Sequence, residues 1–327
     1  MSYFSWNTAS NSKKCAVIGC TAVGGAISNA ILQSELADKL VLIDPNQRLA
    51  DGLAADLYAA LPLHADTDIW AGDYTDLADC ALIVLALGSS PLNENAHADL
   101  AALNAPLIHR AATHIAAYGK EAVVLVVSYP YELMTYIALK YAGLPWERVI
   151  GIGTLPLSLL LRRMLSKYLG IDARYVDCTV LGQADPNAAI CQDLVRVGTL
   201  PLSDYLQASG RNSDPYLLQS LYCDALYATK RAEVANGCAQ YTLSNACVQI
   251  ADAVLNDKNT PMSLCISTQT IPEFPHACLS LPCLLGKKGV RPIPPLTLSS
   301  TEMDQLQRCA AHLHAHQLEC EQVLAQK

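Results

Sequence analysis

Residues 15–44 read CAVIGCTAVGGAISNAILQSELADKLVLID, and this stretch decides the fold. It opens with an apolar run of strand length, Cys15–Ile18, and a glycine turn leads into a helical pattern that reaches about Ala37. A second apolar run, Leu40–Ile43, ends at Asp44. This order predicts a β-α-β unit of about thirty residues, the kind from which dinucleotide-binding sheets are built.

The turn and the acid of this unit indicate a nucleotide site. Gly19 permits the tight turn, Gly24 and Gly25 let the helix pack on the strands, and the helix N-terminus offers N–H groups to a pyrophosphate. Asp44 stands where it would hold a ribose 2′-hydroxyl, which favours NAD over NADP. Thr21 breaks the pattern, because a glycine at that position lets the backbone approach the pyrophosphate. A β-α-β turn that binds no ligand is therefore the alternative.

Composition argues against several classes of protein. Hydrophobic residues make up 52% of the 327 and charged residues 16%, so most of the chain is packed rather than solvated. A net charge of -8 without a basic run argues against nucleic acid and anionic membranes as partners. The longest apolar stretches, Ala81–Leu87 and Ala122–Val127, are too short to span a bilayer. The thirteen cysteines are scattered singly and no signal peptide is seen, which predicts reduced thiols in a cytoplasmic protein.

The rest of the pattern predicts two domains after an N-terminal tail. Residues 1–13 show no period, residues 14–152 form the dinucleotide-binding domain, and residues 153–327 form a C-terminal domain. In the first domain, near-continuous apolar runs are typical of an open, doubly wound parallel sheet. Its further strands are expected at Asp68–Ala71, Ala81–Leu87 and Ala122–Val127, and its further helices at Arg48–Leu61, about 96–118 and Tyr131–Ala142.

The second domain is predicted to mix helices and strands. Helices are expected at Leu157–Leu169, about Asp214–Asp252 and Ser300–Gln326, and strands at Ala173–Leu181 and Met262–Gln269. The segment Ser299-Ser300-Thr301-Glu302 predicts a capped start for the closing helix. The histidines of that helix, His312, His314 and His316, include an i,i+4 pair, but we interpret them as a solvated face and predict no metal site.

Five segments resemble the lactate and malate dehydrogenase family. They are LVLIDPNQRLADGLAADL at 40–57, AGDYTDLADCALIVL at 71–85, RVIGIGT at 148–154, LGQAD at 181–185 and LSLPCLLGKKGV at 279–290. The likeness covers essentially the whole chain after the tail. It implies a Rossmann-type sheet followed by an α+β substrate-type domain, NAD as cofactor, and a homodimer or tetramer assembled through the helix at Arg48–Leu61. The cofactor residues that it implies are Gly19, Thr21, Val23, Gly24, Asp44 and Gly88.

The family's chemistry depends on a small set of polar residues. A histidine oriented by an aspartate exchanges the hydroxyl proton of a 2-hydroxy acid, one arginine binds the carboxylate, and a second arginine on a loop polarises the carbonyl. The resemblance places other residues at all of these positions. They are Ala184 for the histidine, Leu157 for the aspartate, Leu160 for the binding arginine, His97 for the loop arginine, Pro91 for the specificity residue and Tyr129 for a substrate-side asparagine.

These replacements predict an apolar pocket. Leu157 and Leu160 are spaced i,i+3 on one helix face and are expected to point towards Ala184. The leading interpretation is a pseudoenzyme with a weakened NAD site and an apolar former active site. The alternative is a redirected NAD-dependent oxidoreductase acting on an apolar or non-carboxylate substrate, with His97 as its candidate base. A structural subunit of a hetero-oligomer is a third hypothesis.

One further arginine resembles a regulatory residue of the family. Arg162 matches an arginine that lies at an effector-phosphate site in some bacterial relatives. The partner histidine of that site is here Asp177, and an acid opposes a phosphate. We therefore predict no phosphate regulation.

Overall fold

The computed structural model describes residues 13–61, 63, 66–88, 97–186, 188–211, 214–274, 277–293 and 298–325. Of the tail predicted at residues 1–13, only Lys13 falls within these ranges. Its backbone N–H donates to Asp38 Oδ2 at 2.8 Å. The loop position Pro91 lies outside the described residues.

The first half of the chain forms six parallel strands linked by helices. The strands are β1 Lys14–Ile18, β2 Lys39–Ile43, β3 Asp68–Ala71, β4 Leu82–Leu85, β5 Val123–Val126 and β6 Val149–Gly151. The helices are α1 Ala22–Gln33, α2 Gln47–Ala59, α3 His97–Tyr118, α4 Tyr131–Tyr141 and α5 Leu155–Leu169. The strands lie in the order 3-2-1-4-5-6. This confirms the doubly wound sheet, whose central strands β1, β4 and β5 are apolar because helices cover both faces.

The second half adds short strands and long helices. Its strands are β7 Val176–Asp177, β8 Val180–Leu181, β9 Ala189–Ile190, β10 Arg196–Val197, β11 Leu200–Pro201, β12 Thr260–Ser267, β13 Cys278–Gly286 and β14 Gly289–Pro292. Its helices are α6 Leu202–Ala208, α7 Leu217–Asn236, α8 Gln240–Leu255 and α9 Ser300–Ala325. Among the described residues, β12 to β14 join the parallel strands in one nine-stranded sheet. The joint is antiparallel, with Cys265 of β12 opposite Gly151 of β6.

The prediction of one long helix from about Asp214 to Asp252 is wrong in one respect. Two helices, α7 and α8, occupy this stretch, and α7 ends at Gly237 with φ of 76°. This left-handed conformation stops a helix and is accessible to glycine at little cost. The apolar period continues on both sides of Gly237, which is why the pattern resembles one helix.

Three other boundaries differ from the sequence prediction. Helix α1 ends at Gln33 rather than near Ala37, because Glu35 has a positive φ of 51° and turns the chain towards β2. The strand predicted at Ala173–Leu181 is a 3-10 turn followed by β7 and β8, which pair in different small sheets. The strand predicted at Met262–Gln269 begins two residues earlier, as β12.

Helix α9 begins with the expected cap. Glu302 donates its backbone N–H to Ser299 Oγ at 3.3 Å, and Ser299 donates its own N–H to Glu302 Oε2 at 2.8 Å. This reciprocal pair is a capping box. Further along α9, the rings of His312 and His316 meet edge to face with centroids 4.2 Å apart.

Candidate cofactor crevice and the adjoining cavity

The glycine turn after β1 brings three backbone segments into close contact. Gly19 has φ of 107°, and a Cβ atom on it would lie 2.4 Å from the carbonyl oxygen of Ala86. A Cβ atom on Gly24 would lie 1.7 Å from the carbonyl oxygen of Gly19. Both positions therefore require glycine. The result is a narrow entry to α1 at the carboxyl end of the sheet, where ligands of doubly wound folds bind.

Thr21 is the N-cap residue of α1, and its backbone conformation is ordinary for a residue with a side chain. Its φ is -81°, it is exposed, and its side chain makes no capping hydrogen bond. The first amides of α1 are therefore not occupied by the cap. A small cavity of about 230 Å³ opens beside them and is lined by Thr21, Val23 and Gly88. This arrangement fits a pyrophosphate at a helix N-terminus, with the Thr21 side chain standing at the edge of that space.

The Asp44 carboxylate is hydrogen-bonded to the glycine turn that follows β1. Its Oδ2 accepts the backbone N–H of Cys20 at 2.7 Å, and its Oδ1 accepts the N–H of Asn46 at 2.8 Å. Burial raises the pKa of the Cys20 thiol to about 12, and the charge of the Asp44 carboxylate adds to this effect. Carboxylate oxygens accept more than one hydrogen bond, so these contacts leave Asp44 able to bind a ribose hydroxyl.

Asn104 connects Gly88 with Tyr129. The Nδ2 of this buried asparagine donates to the Tyr129 carbonyl oxygen at 2.7 Å. A Cβ atom on Gly88 would lie 2.2 Å from Asn104 Oδ1, so Gly88 lets α3 approach the end of β4. Tyr129 lines the small cavity and also a second, larger one. The crevice and the larger cavity therefore adjoin at Tyr129.

The larger cavity, of about 570 Å³, brings together residues that the resemblance places at the substrate pocket. Leu157 and Ala184 line it together with Tyr129, as expected. Leu160 does not line it. This half-buried leucine faces a neighbouring cavity with Arg163 and Tyr241, so that part of the prediction needs correction. Three residues after Leu157 on α5, Leu160 lies on the side of the helix that shares a cavity with Tyr241 and Thr242 of α8. His97 begins α3, and its side chain is not among those described.

A buried hydrogen-bond network holds Leu157 and Ala184 on their two elements. Thr154 Oγ1 donates to the Val180 carbonyl oxygen at 2.6 Å, and Val180 donates its N–H to Ser158 Oγ at 3.0 Å. These bonds tie the first turn of α5 to β8, the strand that leads to Ala184. The positions of the two apolar residues therefore follow from backbone contacts rather than from any contact with a ligand.

The cavity is not uniformly apolar. Three charged side chains, Asp185, Lys230 and Glu233, line it beside the leucines, alanines and tyrosines. Glu233 Oε2 lies 3.9 Å from Lys230 Nζ, one turn earlier on α7. The Glu233 side chain is only 14% exposed, and burial raises its pKa while the charge of Lys230 lowers it. Among the described residues that line this cavity, none is a histidine or an arginine.

Two tyrosines form one wall of the cavity. The rings of Tyr129 and Tyr131 meet at 88° with centroids 5.5 Å apart. Burial raises the pKa of both phenols, and the charge of Glu233 is the next cause for each. Glu233 of α7 lines the same cavity as these two rings.

Glu132 lies behind the same wall, in the first turn of α4. It is 2% exposed, and its Oε1 has no hydrogen-bond partner among the described residues. Burial raises its pKa to about 7. Backbone N–H groups of Glu132 itself and of Ala184 lower it, and the charge of Asp185 raises it further. A carboxyl group that titrates near neutral pH therefore lies next to the position of Ala184.

Arg162 has a partner within the chain. Its Nη2 lies 3.1 Å from Asp177 Oδ1, and its Nε donates to the Val176 carbonyl oxygen at 2.6 Å. The Nε and Nη2 edge of its guanidinium is thus used by β7.

Four of these residues escaped the sequence analysis: Tyr131, Glu132, Lys230 and Glu233. Tyr131 and Glu132 follow Tyr129 and Pro130 directly, so their position after a buried strand could have been a signal. Lys230 and Glu233 resemble an ordinary i,i+3 pair on a solvated helix face, and no local pattern distinguishes them.

The described ranges contain no group of three or more His, Cys, Asp and Glu side chains suited to a metal ion. All thirteen cysteines fall inside these ranges, where twelve are buried and Cys223, which lines the larger cavity, is exposed. In the part of the chain that is described, no helix is both long and apolar enough to cross a membrane.

Comparison with known proteins gives matches along nearly the whole chain. Residues 13–151 match the family described as lactate/malate dehydrogenase, NAD binding domain, and residues 160–323 match its alpha/beta C-terminal domain. The L-lactate dehydrogenase of Treponema denticola is 30% identical over 306 residues, which cover 92% of this chain and 96% of that protein. The L-lactate dehydrogenase of Priestia megaterium is 28% identical over 301 residues, covering 92% and 94%.

Solved structures agree with the sequence matches. The crystal structure of a lactate dehydrogenase from a Medee basin deep-sea metagenome library has a TM-score of 0.88 at 28% identity, covering 95% of this chain and 99% of that one. A minor L-lactate dehydrogenase from Enterococcus mundtii has a TM-score of 0.87 at 24% identity and supports the fold.

Proposed function

Since the chain belongs to the lactate/malate dehydrogenase family, we propose that it is a nucleotide-binding member without that family's reaction on 2-hydroxy acids. The observation that carries the proposal is the wall of the larger cavity, where Leu157 and Ala184 lie and where no described side chain is an imidazole or a guanidinium. Such a cavity has no imidazole to exchange a hydroxyl proton in the way of the family and no guanidinium fork for a carboxylate.

The expected loss of rate is large. Absence of a general acid/base typically costs about a hundred- to ten-thousandfold, and loss of a charged carboxylate anchor adds to it. Oxidation of L-lactate and L-malate with NAD⁺ should be measured beside the Treponema denticola enzyme. We expect a rate at least about a hundredfold lower. Turnover within about tenfold of that enzyme would overturn the proposal.

The nucleotide part of the proposal rests on the crevice. Gly19, Gly24 and Gly88 keep it open, the first amides of α1 border it, and Asp44 lies beside the turn. We propose that it binds NAD(H), and that Asp44 disfavours NADP(H) because a carboxylate repels a 2′-phosphate. Bound there, the dinucleotide would supply a hydride donor or acceptor.

Titration with NADH and NADPH, followed by heat or fluorescence, tests this part directly. We expect saturable binding of NADH, weaker binding of NADPH, and a tighter complex with NADH in Thr21→Gly, which removes the side chain at the edge of the crevice. Thr75→Gly is the control, because Thr75 is an exposed threonine outside both cavities. Thr242→Gly is unsuitable as a control, because Thr242 lines the larger cavity. Absence of NADH binding in both the wild type and Thr21→Gly would leave assembly as the role of the chain.

A redirected oxidoreductase is the second candidate. One observation favours it: the crevice and the larger cavity adjoin at Tyr129. The ionisable groups of the larger cavity therefore lie next to the proposed cofactor crevice. A screen of apolar 2-oxo compounds with NADH, with His97→Ala as a comparison, distinguishes the two candidates. Turnover that His97→Ala removes would establish the redirected enzyme with His97 as its base.

The assembly and location of the chain stay proposals. Helix α2 presents Leu49 and Tyr58 at 42% and 70% exposure, which suits a contact with a second copy of the chain. We propose a homodimer or tetramer formed through this helix, and light scattering of the purified protein would test it. The division into a domain at 14–152 and one at 153–327, and a cytoplasmic location, are likewise proposed.

A further inference from the structure

The charge of the larger cavity differs from the charge that the family reaction needs. Among its described lining residues, Asp185 and Glu233 carry negative charge and Lys230 carries positive charge, so the wall has a net charge of -1. A cavity that accepts a 2-hydroxy acid needs net positive charge around a carboxylate. The negative wall therefore disfavours an anionic ligand, whereas the two arginines of the family's active site favour one.

Glu233 is the group whose hydrogen bonding is incomplete. Its side chain is largely buried, and Lys230 is its ionic partner at 3.9 Å, a distance too long for a hydrogen bond. No described residue donates a hydrogen bond to its carboxylate. Glu233 lines the cavity, so a ligand can reach its carboxylate. A ligand that brings N–H donors to this point would supply hydrogen bonds that no described residue supplies.

Tyr129 and Tyr131 provide the second element of recognition. Their rings stand nearly at right angles and form a corner in the cavity that Glu233 of α7 also lines. Tyrosine faces attract organic cations, and the attraction increases where water is excluded. Leu157, Leu226 and Leu243 complete the wall with apolar surface. A carboxylate, two ring faces and an apolar wall together match an ammonium group on an apolar body.

We propose that this cavity binds a small organic amine in its ammonium form, with the head group between Glu233 and the rings of Tyr129 and Tyr131. The apolar body lies against Leu157, Ala184 and Leu226. Lys230 competes for Glu233, so the ligand displaces this long and weak pair on binding. The inference rests on the proposed function, since it takes the former active site as a ligand site that no longer accepts carboxylates.

Matched ligands test the charge preference. Binding of 2-phenylethylammonium, 2-phenylethanol and 3-phenylpropanoate should be measured calorimetrically above neutral pH and repeated with hexylammonium, hexanol and hexanoate. We expect each ammonium to bind at least about tenfold more tightly than the carboxylate of the same body. Equal or tighter binding of the carboxylates, or no binding of either ammonium, would overturn the proposal.

Variants of α7 locate the head group. Glu233→Gln should weaken ammonium binding at least about tenfold, and Lys230→Met should strengthen it, because the competing cation is removed. Asp224→Asn is the matched control on the same helix, since Asp224 is exposed and outside the cavity, and it should leave the affinity unchanged. An unchanged affinity in Glu233→Gln would contradict the assigned position of the head group.

The outcome is separable from that of the proposed function. Titration with NADH and the lactate and malate assays report on the crevice and on the lost reaction, and neither uses the amine. Ammonium binding without NADH binding would support the inference alone. NADH binding without ammonium binding would refute the inference and leave the proposed function in place.

Discussion

The Asp44 carboxylate accepts the backbone N–H of Cys20 at 2.7 Å, so the acid at the end of the second strand closes the turn after the first. The same carboxylate also accepts the N–H of Asn46. Its first role in the fold is therefore to fix two turns at the carboxyl end of the sheet, before any nucleotide is bound.

Replacement of Asp44 should affect stability as well as binding. Asp44→Ala removes two charged hydrogen bonds at a half-buried site, and we expect a loss of about 1–3 kcal/mol in the free energy of unfolding together with weaker NADH binding. Urea denaturation measures the first effect. Asp56→Asn, on an exposed position of α2, serves as the control and should change neither quantity. A fully stable Asp44→Ala protein would show that the two bonds contribute nothing.

Glu132 should make the stability of the chain depend on pH. Its pKa is about 7 in the folded chain against 4.5 as the ordinary value, so the folded state holds the proton more tightly. Stability from this group is fully present below about pH 4.5 and is lost as the pH rises through about 7, a total of about 3 kcal/mol. Glu132→Gln should remove this slope.

The measurement is a series of urea denaturation curves between those pH values. Other groups titrate in both proteins, so the difference between wild type and Glu132→Gln isolates Glu132. Glu319→Gln, on an exposed position of α9, is the matched control. A wild-type slope that persists in Glu132→Gln would mean that another group is responsible.

Leu157 and Leu160 should differ in their tolerance of charge. Leu157 is 5% exposed, so Leu157→Asp buries a carboxylate among apolar neighbours and should cost about 3–5 kcal/mol of unfolding free energy. Leu160→Asp should cost less, because Leu160 is half-buried beside the neighbouring cavity near Arg163. Equal costs, measured by denaturation, would contradict their placement in different cavities.

Gly24 and Gly52 should differ in how replacement by alanine changes the stability of the chain. Gly24→Ala would place a Cβ atom against the Gly19 carbonyl oxygen, so we expect a loss of about 3 kcal/mol or more and no NADH binding. Gly52, within α2, has no atom within 4 Å of such a Cβ. Gly52→Ala should stabilise the chain by about 0.5–1 kcal/mol, because alanine favours the helix. Thermal unfolding of both variants measures the expected loss and the expected gain in stability.

Much of the fold follows from local sequence. The runs that became β1, β4 and β5 are apolar on both faces, and the glycine turn fixes where α1 begins, so the doubly wound order could be predicted. Gly237 shows the limit of such reasoning, because a single left-handed residue divides a stretch whose apolar period continues through it. Short strands such as β7 and β8 depend on partners distant in sequence, which periodicity does not reveal.

The site was predictable only where chemistry was expected from the family. Tyr129, Leu157 and Ala184 do meet in one cavity, but Leu160 does not, because three residues along a helix are enough to change the neighbour that a side chain meets. The sequence does not reveal Glu233. Its importance comes from sharing a cavity with Tyr129 and Tyr131, about a hundred residues earlier in the chain, and from a burial that its polar helix does not indicate.

The single exposed thiol at the cavity gives the protein a natural attachment point for a reporter. Twelve of the thirteen cysteines are buried, so a maleimide dye under native conditions should react at Cys223 without any engineered substitution. Because Cys223 lines the larger cavity, the emission of such a dye would change when the cavity fills. The unmodified sequence thus already contains an optical sensor position for ligands of this cavity.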